Sequence, residues 1–65
     1  MLKLKKILEE RGIKQSVLAK KLGVSTVSLS NWSTGKSNPS LLTVVRICQI
    51  LDIPIDELVQ INNSN

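Results

Sequence analysis

The sequence predicts an all-α domain of five short helices. Two observations carry this reading: apolar residues recur three and four positions apart along most of the chain, and Gly12, Gly23, Gly35 and Pro54 interrupt the pattern at short intervals. Composition adds a third. Of the 65 residues 42% are hydrophobic, but Trp32 is the one aromatic, so the core must come from Leu, Ile and Val on a few short packed helices. A fold of this size buries only about 60% of the surface its unfolded chain exposes, and function has to sit on the outside of one small core.

Leu4, Ile7 and Leu8 share a helical face, with Lys3, Lys5, Lys6, Glu9 and Glu10 between them and Gly12 as a stop, which predicts a first helix over about 2–11. Leu18 and Leu22, four apart with Ala19 beside them, predict a second over 15–22, ended by Gly23. Ser25 is a good N-cap, because its hydroxyl accepts from N–H groups two or three residues on; it opens a third helix over 25–34 that Gly35 stops. Residues 35–39 form a polar loop. Over 40–51 most sides are apolar (Leu41, Leu42, Val44, Val45, Ile47, Cys48, Ile50, Leu51), so this fourth helix is expected to be the central, most buried element. Asp52-Ile53-Pro54 breaks it, Pro54 suits the first turn of a fifth helix, and Asp56 and Glu57 complement its dipole. The fifth helix would carry Ile55, Leu58, Val59 and Ile61, with Leu58 in the core and Val59 and Ile61 exposed. The domain is expected to span 1–61, with 62–65 a frayed tail.

Several function classes drop out. One cysteine, Cys48, makes no intrachain disulfide, and without histidine no zinc site of three or four Cys/His ligands can be built; no metal or cofactor is expected. There is no Tyr and no nucleophile–base pair, and Cys48 falls among apolar residues where a thiol is usually inert, so an enzyme is not expected. Asp52 and Asp56 have the spacing to clip a cation, but helix-end solvation explains them more simply. The charges of residues 3–10 leave no apolar signal segment, and no run approaches the ~18 residues of a membrane span, which predicts a cytoplasmic protein without a membrane partner.

The net charge of +4 informs through its layout. All five acids lie in two clusters, Glu9 with Glu10 and Asp52 with Asp56 and Glu57, whereas residues 11–51 hold six basic residues and no acid. Such segregation suits a surface facing a polyanion. Charge alone leaves a solvated basic face equally open.

Two short helices joined through Gly23 and Ser25 make a rigid elbow only if a small side chain lets one cross the other. Ala19 meets that condition, and Leu18, Leu22, Val24, Leu29 and Trp32 can lock the angle. Here Gln15-Ser16-Val17-Leu18-Ala19-Lys20-Lys21-Leu22-Gly23-Val24-Ser25 resembles the second helix and turn of the phage Cro and repressor (Xre-type) helix-turn-helix family. The similarity continues through Asn31-Trp32-Ser33-Thr34-Gly35-Lys36, Pro39-Ser40-Leu41 and Asp56-Glu57-Leu58. The resemblance implies a lambda-repressor-like fold of five helices, with residues 15–34 as the helix-turn-helix and the third helix in the DNA major groove.

Read independently, the third helix places Leu29 and Trp32 on one side, while Thr26, Val27, Ser30, Asn31 and Thr34 share the other at about 100° per residue. That outer arc is uncharged, able to hydrogen-bond and poor in helix propensity, which suits base edges better than stability. Thr26, Val27, Ser30 and Asn31 are therefore the expected base readers. The resemblance implies phosphate contacts at Gln15, Thr34, Lys36 and Ser37, and Lys36 suggests the same by its charge. For Lys14, Lys20 and Lys21, solubilising charge and direct contact stand equal. Trp32 is expected to anchor the core, its indole N–H meeting an acceptor.

This chain departs from the family in having Lys14 where a capping Ser or Thr is common, Leu8 and Ser33 where some repressors pair Arg with Glu, and Val17 and Leu42 at usually polar sites. The 8/33 junction is expected to be apolar, and Val17 and Leu42 to be either surface contacts or added core. The expected partner is a pseudo-palindromic operator bound by a homodimer, weak off DNA, through Ile55, Val59 and Ile61, with Leu42 a possible addition; no small-molecule effector is expected. A protein-interaction module of the same fold, such as an antitoxin or adaptor, is the alternative.

Overall fold

A computed structural model describes residues 2–59, so Ile61 and the expected tail over 62–65 lie outside the described residues. Five helices follow in order: α1 Leu4–Arg11, α2 Gln15–Leu22, α3 Thr26–Thr34, α4 Leu41–Leu51 and α5 Ile55–Leu58. The chain is all-α, as its apolar spacing implies, apart from one isolated antiparallel bridge between Leu2 and Val59.

Two helices, α3 and α4, start where a serine hydroxyl supplies a partner for a free N–H group. Ser25 Oγ accepts from the Ser28 N–H at 3.1 Å, and Ser40 Oγ accepts from the Thr43 N–H at 3.2 Å. Lys14 is extended and gives no side-chain cap, yet α2 still begins at Gln15, with the Lys14 carbonyl accepting from Val17 and Leu18.

One device ends the first four helices: a residue in the left-handed region whose successor's N–H reaches back to the fifth carbonyl before it. Ile13 donates to Leu8, Val24 to Ala19, Lys36 to Asn31 and Ile53 to Cys48, at 2.9 to 3.0 Å. At Gly23, φ is +75° and a Cβ would meet nothing within 4 Å, so conformation and not space is what favours glycine in this turn. After α4 the same place falls to Asp52, at φ 55°.

The core is Leu4, Ile7 and Leu8 of α1, Leu18, Ala19 and Leu22 of α2, Leu29 of α3, Val44, Ile47, Cys48 and Leu51 of α4, with Ile53 and Leu58. Arg11 Nη1 donates to the Leu51 carbonyl at 2.8 Å, satisfying an orphan acceptor at the end of α4 and tying it to the end of α1.

Two expectations need correction. α4 is not enclosed: Leu41 and Leu42 are among the most exposed side chains of the chain's large hydrophobics, and Val45 is exposed as well, because only one stripe of an apolar helix finds core to face. The fifth helix does not reach Val59. That residue turns extended, pairs with Leu2 and packs half-buried against the core, so it is not the exposed member of a pair.

Candidate nucleic-acid interface

α2 and α3 meet through small and aliphatic side chains. Leu18, Ala19 and Leu22 are buried on α2, Leu29 is buried on α3, and Val24 and Trp32 pack against this cluster from its edge. With Leu29 as its one buried side chain, α3 is held by a single anchor and a half-buried indole. Thr26, Val27, Ser30 and Thr34 are exposed, while Ser28, Asn31 and Ser33 are half-buried.

Thr26, Val27 and Ser30 are exposed, Val27 to 68%, and Asn31 is half-buried at the margin of the same arc. The residues expected to read bases therefore share one outward face. The Asn31 carbonyl accepts from the Lys36 N–H at 2.9 Å and the Ser37 N–H at 3.4 Å, which fastens the following loop to the helix. Lys36 and Ser37 are both exposed there.

Lys36 stands out among the helix ends. The residue after the left-handed position usually packs an apolar side chain inward. Ile13, Val24 and Ile53 do so, being half-buried or buried, but after α3 the residue is an exposed lysine. The fold does not ask for charge at that point.

Two expected phosphate contacts are already engaged within the chain. The Thr34 hydroxyl donates to the Ser30 carbonyl at 3.0 Å and lies 3.4 Å from that of Asn31, so its proton reaches a phosphate only if χ1 turns. Gln15, half-buried at the start of α2, donates an amide N–H to Ser33 Oγ at 3.5 Å and keeps its second N–H. The 8/33 junction is consequently not wholly apolar: Leu8 is in the core, while Ser33 takes the polar bond from Gln15. Sequence reasoning missed Ser33 in this role. Its angular position between Leu29 and Thr26 was the available signal.

Trp32 is half-buried, not enclosed. Beside it lies an open pocket of about 200 Å³ lined by Leu2, Ser33, Thr34, Gly35 and Asn38. The expected acceptor for its indole N–H is absent among the described residues, and no polar side-chain atom is buried without a partner. Of the expected self-association residues, Ile55 is 45% exposed, Val59 is half-buried, and Ile61 lies outside the described residues. Val17 and Leu42 are both exposed.

Burial pushes the Cys48 thiol above its ordinary 9.0. Among the described residues no group of three or more His, Cys, Asp or Glu side chains is placed to hold a metal, and no helix is long and apolar enough to cross a membrane.

The pattern of the family described as Helix-turn-helix matches residues 4–58. Over 50 residues, 77% of this chain, the sequence is 36% identical to Antitoxin HipB of Escherichia coli O6:H1 (strain CFT073). The fold superposes on a transcriptional regulator from Listeria innocua with a TM-score of 0.83 and 26% identity, covering 95% of this chain. The chain spans 53% of the length of the first protein and 58% of the second.

Proposed function

Because the chain belongs to the Xre/Cro-type helix-turn-helix DNA-binding family, we propose that it binds a specific double-stranded DNA sequence as a small transcriptional regulator, with α3 in the major groove. The observation that carries this reading is the free face of α3: Thr26, Val27 and Ser30 exposed with Asn31 beside them, and Lys36 set at the helix exit. Asn pairs bidentately with adenine, Ser and Thr donate or accept, and the Val27 methyls suit a thymine methyl. Gln15, Lys36 and Ser37, with Thr34 after rotation, hold phosphates and fix register.

Repression is the simpler outcome, since occupancy of a promoter suffices. The role is binding and not catalysis, and a DNA partner places the working protein on the nucleoid in the cytoplasm. Two copies bind a pseudo-palindrome, because one reading helix covers too few base pairs to stand out against a genome of competing sites.

Selection of duplexes from a random pool with the purified chain tests the reading. The expected result is one enriched motif whose binding weakens steeply with salt. Failure to enrich any motif overturns it. The likeness to a protein named as an antitoxin favours a second reading, a protein-binding module with DNA contact secondary. A chain that enriches no motif and whose retention on DNA resin does not weaken with salt would turn the balance that way.

A further inference from the structure

The two ends of the domain meet at one bridge, where Leu2 pairs with Val59 and the Lys3 N–H donates to the Leu58 carbonyl at 2.8 Å. Side chains directly opposite in such a pair stand on one face, and their neighbours in the chain turn to the other. The surroundings follow that rule. Lys3 lines a charged recess together with Glu57, whereas Leu2 lines the open space of about 200 Å³ beside Trp32. The face that Leu2 shares with Val59 is therefore the Trp32 face. No charged side chain lines this space among the described residues, and Trp32 is left half-buried on its wall.

The sequence beyond the bridge keeps the rhythm of a strand. Val59-Gln60-Ile61-Asn62 alternates apolar and polar, which puts Val59 and Ile61 on one face, and Val59 has already left α5 for extended backbone. Two residues of extended chain advance by about 6.8 Å. We propose that the space beside Trp32 is the seat of Ile61, with the chain after Val59 running on in extended form to cover the indole. Tethering selects this occupant over a small neutral ligand or the tail of another copy. Ile61 is two residues from a fixed bridge, and a tether so short gives an effective concentration of about a millimolar or more, against which a free competitor has to bind. Ser33, Thr34 and Gly35, at the end of α3, line the same space, so a side chain seated there braces the exit of that helix. The inference goes beyond the DNA-binding reading and stands or falls without it.

Trp32, as the one aromatic residue, reports on its own surroundings. In the full chain, Ile61→Ser is expected to shift its emission to longer wavelength and to raise its quenching by acrylamide, while Gln60→Ser, on the opposite face, is expected to match wild type. Benzyl alcohol, a small neutral aromatic probe, is expected to protect Trp32 from acrylamide in Ile61→Ser and not in wild type. An unchanged Trp32 in Ile61→Ser overturns the proposal, and so does protection of wild type by the probe, which means that the seat is empty. A second measurement does not depend on the folding of that variant. With Cys48→Ala as background, Asn38→Cys/Ile61→Cys is expected to be cross-linked within one chain by a short bis-maleimide faster than Asn38→Cys/Gln60→Cys. Equal rates overturn the proposal. Links between chains in place of links within one overturn it in favour of the tail of a second copy.

Discussion

Asn31 works in two directions. Its side chain lies at the margin of the reading arc, while its carbonyl holds the Lys36 and Ser37 N–H groups. Because the second task belongs to the backbone, Asn31→Ala removes the first alone. It should relax base preference at one position of the selected motif, costing about 1–3 kcal/mol if the contact is bidentate, and Thr26→Ala should do the same at another. An unchanged motif after Asn31→Ala counts against the reading face. Cys48 offers a separate residue-scale test. Its folded thiol titrates above the ordinary 9.0, so the contribution of its burial is complete below the unfolded value and is lost as pH rises through the raised one. The denaturation midpoint should fall between pH 7 and pH 10 more in wild type than in Cys48→Ala, and the native thiol should react slowly with disulfide reagents at neutral pH.

At the scale of the elements, the turn between α2 and α3 depends on Gly23 through its dihedrals. Gly23→Ala should cost about 1 kcal/mol, the left-handed penalty partly offset by a stiffer unfolded chain, with no steric shift because a Cβ there meets open space. Thermal melts of the two proteins check this. The same locality explains what the sequence made legible. Ser25, Ser40, Gly12, Gly23 and Gly35 act on neighbours within four residues, so the helix starts and stops could be read before any packing was known. The free face of α3 was legible for a related reason, since Leu29 and Trp32 set its phase. The exposure of Leu41 and Leu42 was not, because an almost wholly apolar helix carries no mark of which stripe meets the core. Nor was the fate of Val59, which depends on Leu2, 57 residues earlier in the chain. The internal bonds of Gln15 and Thr34 were hidden too, for they arise from how α2 and α3 cross and from the local turn of a hydroxyl.

Across the whole molecule, charge is sorted by the fold. The bond from Arg11 to the Leu51 carbonyl sets the end of α1 beside the end of α4, and Glu10, Glu57, Lys3, Lys6 and Arg11 line one shallow recess of about 190 Å³. The two acidic clusters thus sit together among nearby basic residues. Lys14, Lys20, Lys21, Lys36 and Arg46 belong to a stretch without any acid, and they account for the net positive charge. An arrangement of this kind should show itself in salt dependence. The logarithm of affinity for the selected duplex should fall linearly with that of salt concentration, by about 0.9 per phosphate neutralised. Lys36→Ala should weaken all sequences alike and flatten that slope by about one, which titration at several salt concentrations measures.

The Lys3 N–H donates to the Leu58 carbonyl at 2.8 Å, and Leu2 pairs with Val59. The domain is therefore entered and left at one point on its surface. Joining those two points by a short linker and reopening the chain in the exposed 36–38 stretch would permute the order of the helices without moving any of them. By the same geometry, the domain can be inserted whole into a surface loop of another protein, at a site whose two ends need stand only a strand spacing apart.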